Sequence, residues 1–149
     1  MASVRLVLDT NVWLDWLVFK DASVVPIRNA AQLKRAKIFI DDACASELQA
    51  VLAYSLRKKI MTADEQAACL AECRAITRRV DGSIAHSMDA LPKCRDPDDQ
   101  KFLELARACG ADYLITKDLL LLELERRKVR RTPFRIIAPL DFPEIALRD

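Results

Sequence analysis

Four acidic residues carry the chemistry that this chain can offer: Asp9, Glu47, Asp99 and Asp118. Asp9 ends the apolar run Val4-Arg5-Leu6-Val7-Leu8 and opens Asp9-Thr10-Asn11. An acid at the end of a core strand is costly to keep there without a partner or a metal. The other three acids fall at strand ends or near helix starts. The chain holds a single histidine, so the donor set is oxygen, which suits hard cations such as Mg2+ and Mn2+. Gathering four carboxylates without a cation costs repulsion and desolvation, or leaves some of them protonated. One or two divalent ions remove that cost, and can activate a water and stabilise in-line attack on phosphorus.

The elements that must position these acids follow from the apolar pattern. Val4–Leu8 reads as a buried strand, and Val12–Phe19 as a helix capped by Thr10 or Asn11. A helix over Pro26–Ala36 has proline suited to its first turn. Lys37–Ile40 is a second strand. A long helix is expected from about Ala43 to Lys59, because Leu48, Leu52 and Leu56 repeat every four residues. Thr62-Ala63-Asp64-Glu65 is a capping-box pattern opening a helix to about Arg78. Residues 80–95 read as a long loop containing the lone His86. Asp96 caps the next helix, Pro97 is its first residue and Gly110 its stop. Asp112–Thr116 is a third strand, and Asp118 begins a Leu-rich helix. Phe134–Ile137 is a fourth strand, followed by a terminal turn or short helix over Pro139–Leu147. Strands and helices alternate, which predicts a three-layer α/β/α fold around a mostly parallel sheet of four to five strands. No repeat or linker appears, so residues 1–149 are expected to form a single domain.

In parallel sheets, ligands gather outside the carboxyl ends of the strands. Asp9 and Asp118 are placed at such ends, Glu47 about one turn into the helix after the second strand. Helical phase separates the neighbouring aspartates. Asp99 precedes Phe102, Leu103 and Ala106 at helical spacing and shares their core-facing side. Asp98 is turned about 100° away.

Composition narrows the field further. The chain is 52% hydrophobic and 31% charged with net charge +2, a globular balance that says little about partners. Only Gly82 and Gly110 are glycines, which excludes Gly-rich phosphate cradles and argues against a nucleotide cofactor. No apolar run approaches the roughly 20 residues that span a bilayer, and the first residues lack a signal peptide's apolar core. A cytoplasmic protein without a membrane partner is expected. The five cysteines match no zinc or disulfide framework and read as small buried hydrophobes.

Four blocks in order carry a family resemblance. They are Leu8-Asp9-Thr10-Asn11, Glu47, the segment from Cys94-Arg95-Asp96-Pro97-Asp98-Asp99 to Leu103, and Ala111-Asp112-Tyr113-Leu114-Ile115-Thr116-Lys117-Asp118. Together they span roughly residues 4 to 145 and resemble the PIN-domain proteins. These are metal-dependent ribonucleases that include many toxins of bacterial toxin–antitoxin pairs. The resemblance implies that Asp9, Glu47, Asp99 and Asp118 hold one or two Mg2+ or Mn2+ ions. It implies that Thr10, Asn11 and Thr116 orient those acids or touch substrate, with Asp96 an outer acid. It further implies hydrolysis of an RNA phosphodiester by metal-activated water, a cognate antitoxin and a homodimer.

Plainer readings stand beside these. Asp9 and Asp118 are also suited to cap helices, and Glu47 to face a helix dipole. Asp99 has the spacing of a box with Asp96. The basic run Arg126, Arg127, Lys128, Arg130 and Arg131 is either a solvated helix end or a contact for RNA phosphates. Trp13 and Trp16 are read as core or interface residues, with base stacking the alternative. Two rival functions use the same residues. One is a phosphoryl-transfer domain with Asp9 as nucleophile, although Asn11 stands where a dehalogenase-type site has a second aspartate. The other is a non-catalytic module binding RNA or protein.

Overall fold

The computed structural model describes residues 3–54, 56–80, 97–127 and 133–142. Five strands form one sheet, β1 (Val4–Leu8), β2 (Ala36–Ile40), β3 (Thr77–Arg79), β4 (Tyr113–Ile115) and β5 (Arg135–Ile137). Their order is β3-β2-β1-β4-β5, and every neighbouring pair is parallel. Parallel strands need crossover connections, and helices supply them: α1 (Thr10–Leu17), α2 (Val25–Gln32), α3 (Asp42–Leu52), α4 (Ala63–Ile76), α5 (Gln100–Ala108) and α6 (Leu119–Arg127).

The sheet is covered on both faces. Successive strand residues point to opposite sides, yet Leu6, Val7 and Leu8 are all buried, as are Ile38, Phe39 and Ile40. This is the burial expected of parallel strands between helical layers. The expected α/β/α class therefore holds, with five strands.

Several boundaries differ from the sequence expectations. The strand not expected from sequence, β3 (Thr77-Arg78-Arg79), sits where the fourth helix was expected to end. Its residues are half-buried or exposed, and it lies at the sheet edge beside Ile38–Ile40. A polar edge strand carries no apolar alternation to betray it. The first helix is capped by Asp9, whose Oδ1 accepts from the Val12 N–H at 2.9 Å, and not by Thr10 or Asn11.

The helix expected to reach Lys59 ends at Leu52. Leu56 keeps the four-residue spacing, but it packs from a tight turn closed by reciprocal backbone bonds with Lys59. Arg57 and Lys58 make that turn with φ of 48° and 66°, a conformation costly for residues with a Cβ. The capping box of Thr62 and Glu65 is present and starts α4.

Gly110 stops α5 as expected. Its φ of 65° lets the Ala111 N–H reach back to the Ala106 carbonyl at 2.9 Å, the reversal that feeds β4. The α-helical part of that segment begins at Gln100, after a 3-10 turn over Pro97–Asp99. The Asp96 cap, His86 and most of the expected loop lie outside the described residues. Cys44, Cys69, Cys73 and Cys109 are free and buried. Burial pushes the thiols of Cys44, Cys73 and Cys109 up, so they act as packing groups.

Candidate metal centre

The carboxyl ends of β1 and β4 lie side by side, with Leu8 opposite Ile115. The chain leaves β1 toward β2 on one side, while β4 adjoins β1 on the other. This is the switch point where open α/β sheets place ligands. Asp9 follows β1 immediately and bonds backbone to backbone with the Ile115 carbonyl at 3.1 Å. Thr116, Lys117 and Asp118 follow β4.

Asp9 is 3% exposed. Its Oδ1 is taken by the Val12 N–H, and its Oδ2 accepts from the Thr116 hydroxyl. Burial pushes the Asp9 carboxyl up to about 6; the charges of Asp118 and Glu47 add to this, while the bonds from Thr116 and Val12 oppose it. The two acids are thus close enough for Asp9 to feel them. Thr116 has a second task, since its hydroxyl oxygen accepts the Asp118 N–H at 2.9 Å. One threonine therefore ties the two acids of neighbouring strands together. Asp118 Oδ1 accepts from the Leu120 N–H at 2.8 Å at the start of α6.

Glu47 projects from the middle of α3. One of its oxygens accepts from the Thr10 hydroxyl, and the other lies 2.8 Å from Lys101 Nζ. The Thr10 hydroxyl thus contacts Glu47 directly. Asn11, in contrast, is exposed. Asp99 precedes α5, is half-buried and makes no capping hydrogen bond through its side chain. Asp98 is exposed, in agreement with the helical phase. α5 packs against β1, β4 and α3, which brings the Asp99 turn to the same edge of the sheet.

The donor chemistry fits a hard divalent cation. All four acids offer oxygen, and the proton affinity of Asp9 is raised first by its burial and further by the charges of Asp118 and Glu47. The side chains do not yet form a finished ligand set: among the described residues no three acidic, histidine or cysteine side chains cluster tightly enough to hold one ion. Asp9, Glu47 and Asp118 are instead engaged by their own hydrogen-bond partners. Elsewhere, a cavity of about 380 Å3 opens at the amino-terminal ends of β2 and β3, near Ala36 and Thr77, and contains none of these acids.

Three charged residues beside the centre are not among the site residues expected from sequence. Asp15, on α1, is 2% exposed and lies 2.5 Å from Lys117 Nζ and 3.9 Å from Arg57 Nη2. Lys117 stands between Thr116 and Asp118. Lys101 lies on the first turn of α5 and pairs with Glu47. A signal for Asp15 was available, since it is a lone acid within the apolar stretch Val12–Phe19.

Other candidates resolve plainly. Trp13 and Trp16 are both buried, with ring centroids 5.3 Å apart, and Trp16 Nε1 donates to Glu72 at 3.0 Å. They pack the core and are not placed to stack on bases. Tyr54 is exposed. Arg126 and Arg127 are exposed at the end of α6, with Arg127 4.0 Å from Glu123. Lys128, Arg130 and Arg131 lie outside the described residues.

The fold and its edge of acids define an α/β protein with an oxygen-rich centre at the switch point of a parallel sheet. The chain belongs to the PIN-domain family, whose profile matches residues 5–120. Among solved structures it is similar to VapBC2 from Rickettsia felis bound to a DNA fragment from its promoter, with TM-score 0.61 and 15% identity. That match covers 91% of this chain and 98% of the other. No curated protein matches the sequence. No helix of the described residues is long and apolar enough to cross a membrane.

Proposed function

We propose that this PIN-domain protein is a metal-dependent endoribonuclease, and the toxin of a toxin–antitoxin pair. The observation that carries the reading is Asp9, buried at the end of the central strand with Asp118 and Glu47 as charged neighbours. Asp9, Glu47, Asp99 and Asp118 would hold Mg2+ or Mn2+. A bound divalent ion would supply Lewis-acid activation of water and of the phosphate.

The chain's own residues do the rest. Thr116 fixes the Asp9 carboxylate and the Asp118 backbone, and Thr10 fixes one oxygen of Glu47. Asn11, exposed beside Asp9, is available to substrate, and Asp96 is retained as an outer acid. The exposed cations Arg126 and Arg127, with Lys128, Arg130 and Arg131, are the proposed contact for RNA phosphates. Likeness in fold to VapBC2 supports an antitoxin partner, and a homodimer is proposed with it. Both Asp9 oxygens are hydrogen-bonded and the residue is buried, which favours a ligand over a phosphoryl-accepting nucleophile.

Purified protein with Mn2+ or Mg2+ is expected to cleave RNA internally, and chelation to stop it. Substituting Asp118→Asn is expected to abolish cleavage while leaving the fold intact by circular dichroism. Absence of cleavage under every divalent ion, with Mn2+ still binding, would leave the non-catalytic binding module as the better reading.

A further inference from the structure

Among Asp9, Glu47 and Asp118, the ion pairs of the described residues give a cation to Glu47 alone, and that cation is Lys101. Its ammonium lies 2.8 Å from Glu47 Oε1, donates to the Asp98 carbonyl and sits 5.1 Å from the Phe102 ring centroid. Carboxylate, carbonyl and ring face all favour positive charge. Both partners are largely shielded, with side-chain exposures of 21% for Lys101 and 27% for Glu47. The remaining Glu47 oxygen is taken by Thr10. Both Glu47 oxygens are thus engaged, and an ion arriving at Oε1 would meet the Lys101 ammonium already there.

We propose that Lys101 is a tethered counter-cation that holds Glu47 in the metal-free protein and competes with the divalent ion for it. This rests on the metal-site reading above and adds to it a residue that sets metal affinity. Loading the ion at Glu47 requires the Lys101 ammonium to withdraw, because two cations cannot share one carboxylate oxygen without repulsion. Metal affinity is then lower than the acids alone would give. The withdrawn ammonium remains on the first turn of α5, beside the acids, where phosphate charge would arrive.

The test is Mn2+ binding by calorimetry on chelator-treated protein without RNA. Lys101→Met and Lys101→Gln both remove the charge, and two variants guard against one failing to fold. Each is expected to bind Mn2+ roughly two- to fivefold more tightly than wild type, the scale of a partly exposed ion pair. Lys101→Arg should restore wild-type affinity. In a Glu47→Gln background, Lys101→Met should produce no tightening. Unchanged or weaker Mn2+ binding by the charge-removing variants, with wild-type binding intact, overturns the proposal alone. Tightening that persists in Glu47→Gln overturns the pairing. Absence of Mn2+ binding by the wild type overturns the metal-site reading and this proposal together.

Discussion

Asp9 and Asp15 are six residues apart, at the start and the middle of the same helical segment, and both are buried almost completely. Their surroundings are opposite. Asp15 meets two cations, Lys117 at 2.5 Å and Arg57 at 3.9 Å. Asp9 meets only hydrogen-bond donors, with two further acids as its charged neighbours. Opposite charge close by favours an ionised carboxylate, and like charge with burial disfavours it. One aspartate is therefore a finished ion pair. The other is an unfinished electrostatic problem, of the kind that marks functional sites. Even Thr116 and Lys117, adjacent in sequence, divide between the two, with the hydroxyl serving Asp9 and the ammonium Asp15.

The sharpest way to break this contrast is Asp9→Asn. If Asp9 is a metal ligand, RNA cleavage falls by roughly a hundredfold or more, since even residues that only support ligands cost 10- to 100-fold. Stability should move the other way. The Asp9 carboxyl is raised from 3.8 to about 6, so the folded state binds the proton more tightly than the unfolded state. Its contribution is favourable below the unfolded value and is lost as pH rises through about 6. A shift of this size corresponds to about 3 kcal/mol at most. Metal-free wild type should thus lose stability relative to Asp9→Asn between about pH 4 and 6. Denaturant melts in chelator across that range check it. A difference that is flat with pH, or of opposite slope, means that Asp9 is compensated as Asp15 is.

The ion pair predicts an asymmetry of its own. Lys117→Met leaves the Asp15 carboxylate buried with only the longer contact to Arg57. Removing one partner of a buried pair costs about 3 kcal/mol when the other stays buried. Asp15→Asn instead leaves two cations that are 41% and 64% exposed and turn readily to water. It should cost about half as much. Equal losses in urea midpoints, or a greater loss for Asp15→Asn, would show that Asp15 acts through packing rather than charge.

How far these two environments were legible differs for physical reasons. Asp9 could be read because an apolar strand stops at an acid, and Asp118 because it follows a second such strand. Helical phase turned Asp99 inward relative to Asp98, and of the two Asp98 is the more exposed. Asp15 carries an equal local signal, an acid inside an apolar helix, but its meaning depends on Lys117 and Arg57, which are remote in sequence. Lys101 is invisible for the same reason, because its partner lies 54 positions earlier on α3. The strand Thr77–Arg79 owes its place to Ile38–Ile40 and not to its own residues. The overreach of the third helix came from Leu56, which keeps helical spacing while belonging to a turn.

That turn offers the smallest test, and it concerns the second cation of Asp15. Arg57 holds φ at 48° and places its guanidinium 3.8 Å from the centroid of the Phe19 ring. Its ion pair is long and its side chain mostly exposed, so the pair contributes well under about 1 kcal/mol, and the ring contact about 0.5–1 kcal/mol. Arg57→Ala removes both and keeps the unfavourable backbone. Arg57→Gly removes both and relieves the backbone, by about 1 kcal/mol for a left-handed residue. Thermal melts should therefore place Arg57→Gly near wild type and Arg57→Ala about 1 kcal/mol below it. If both variants fall by more than about 2 kcal/mol, Arg57 shares the neutralisation of Asp15 with Lys117, and the pair is a true three-charge cluster. If neither changes stability, Lys117 alone separates the fate of Asp15 from that of Asp9.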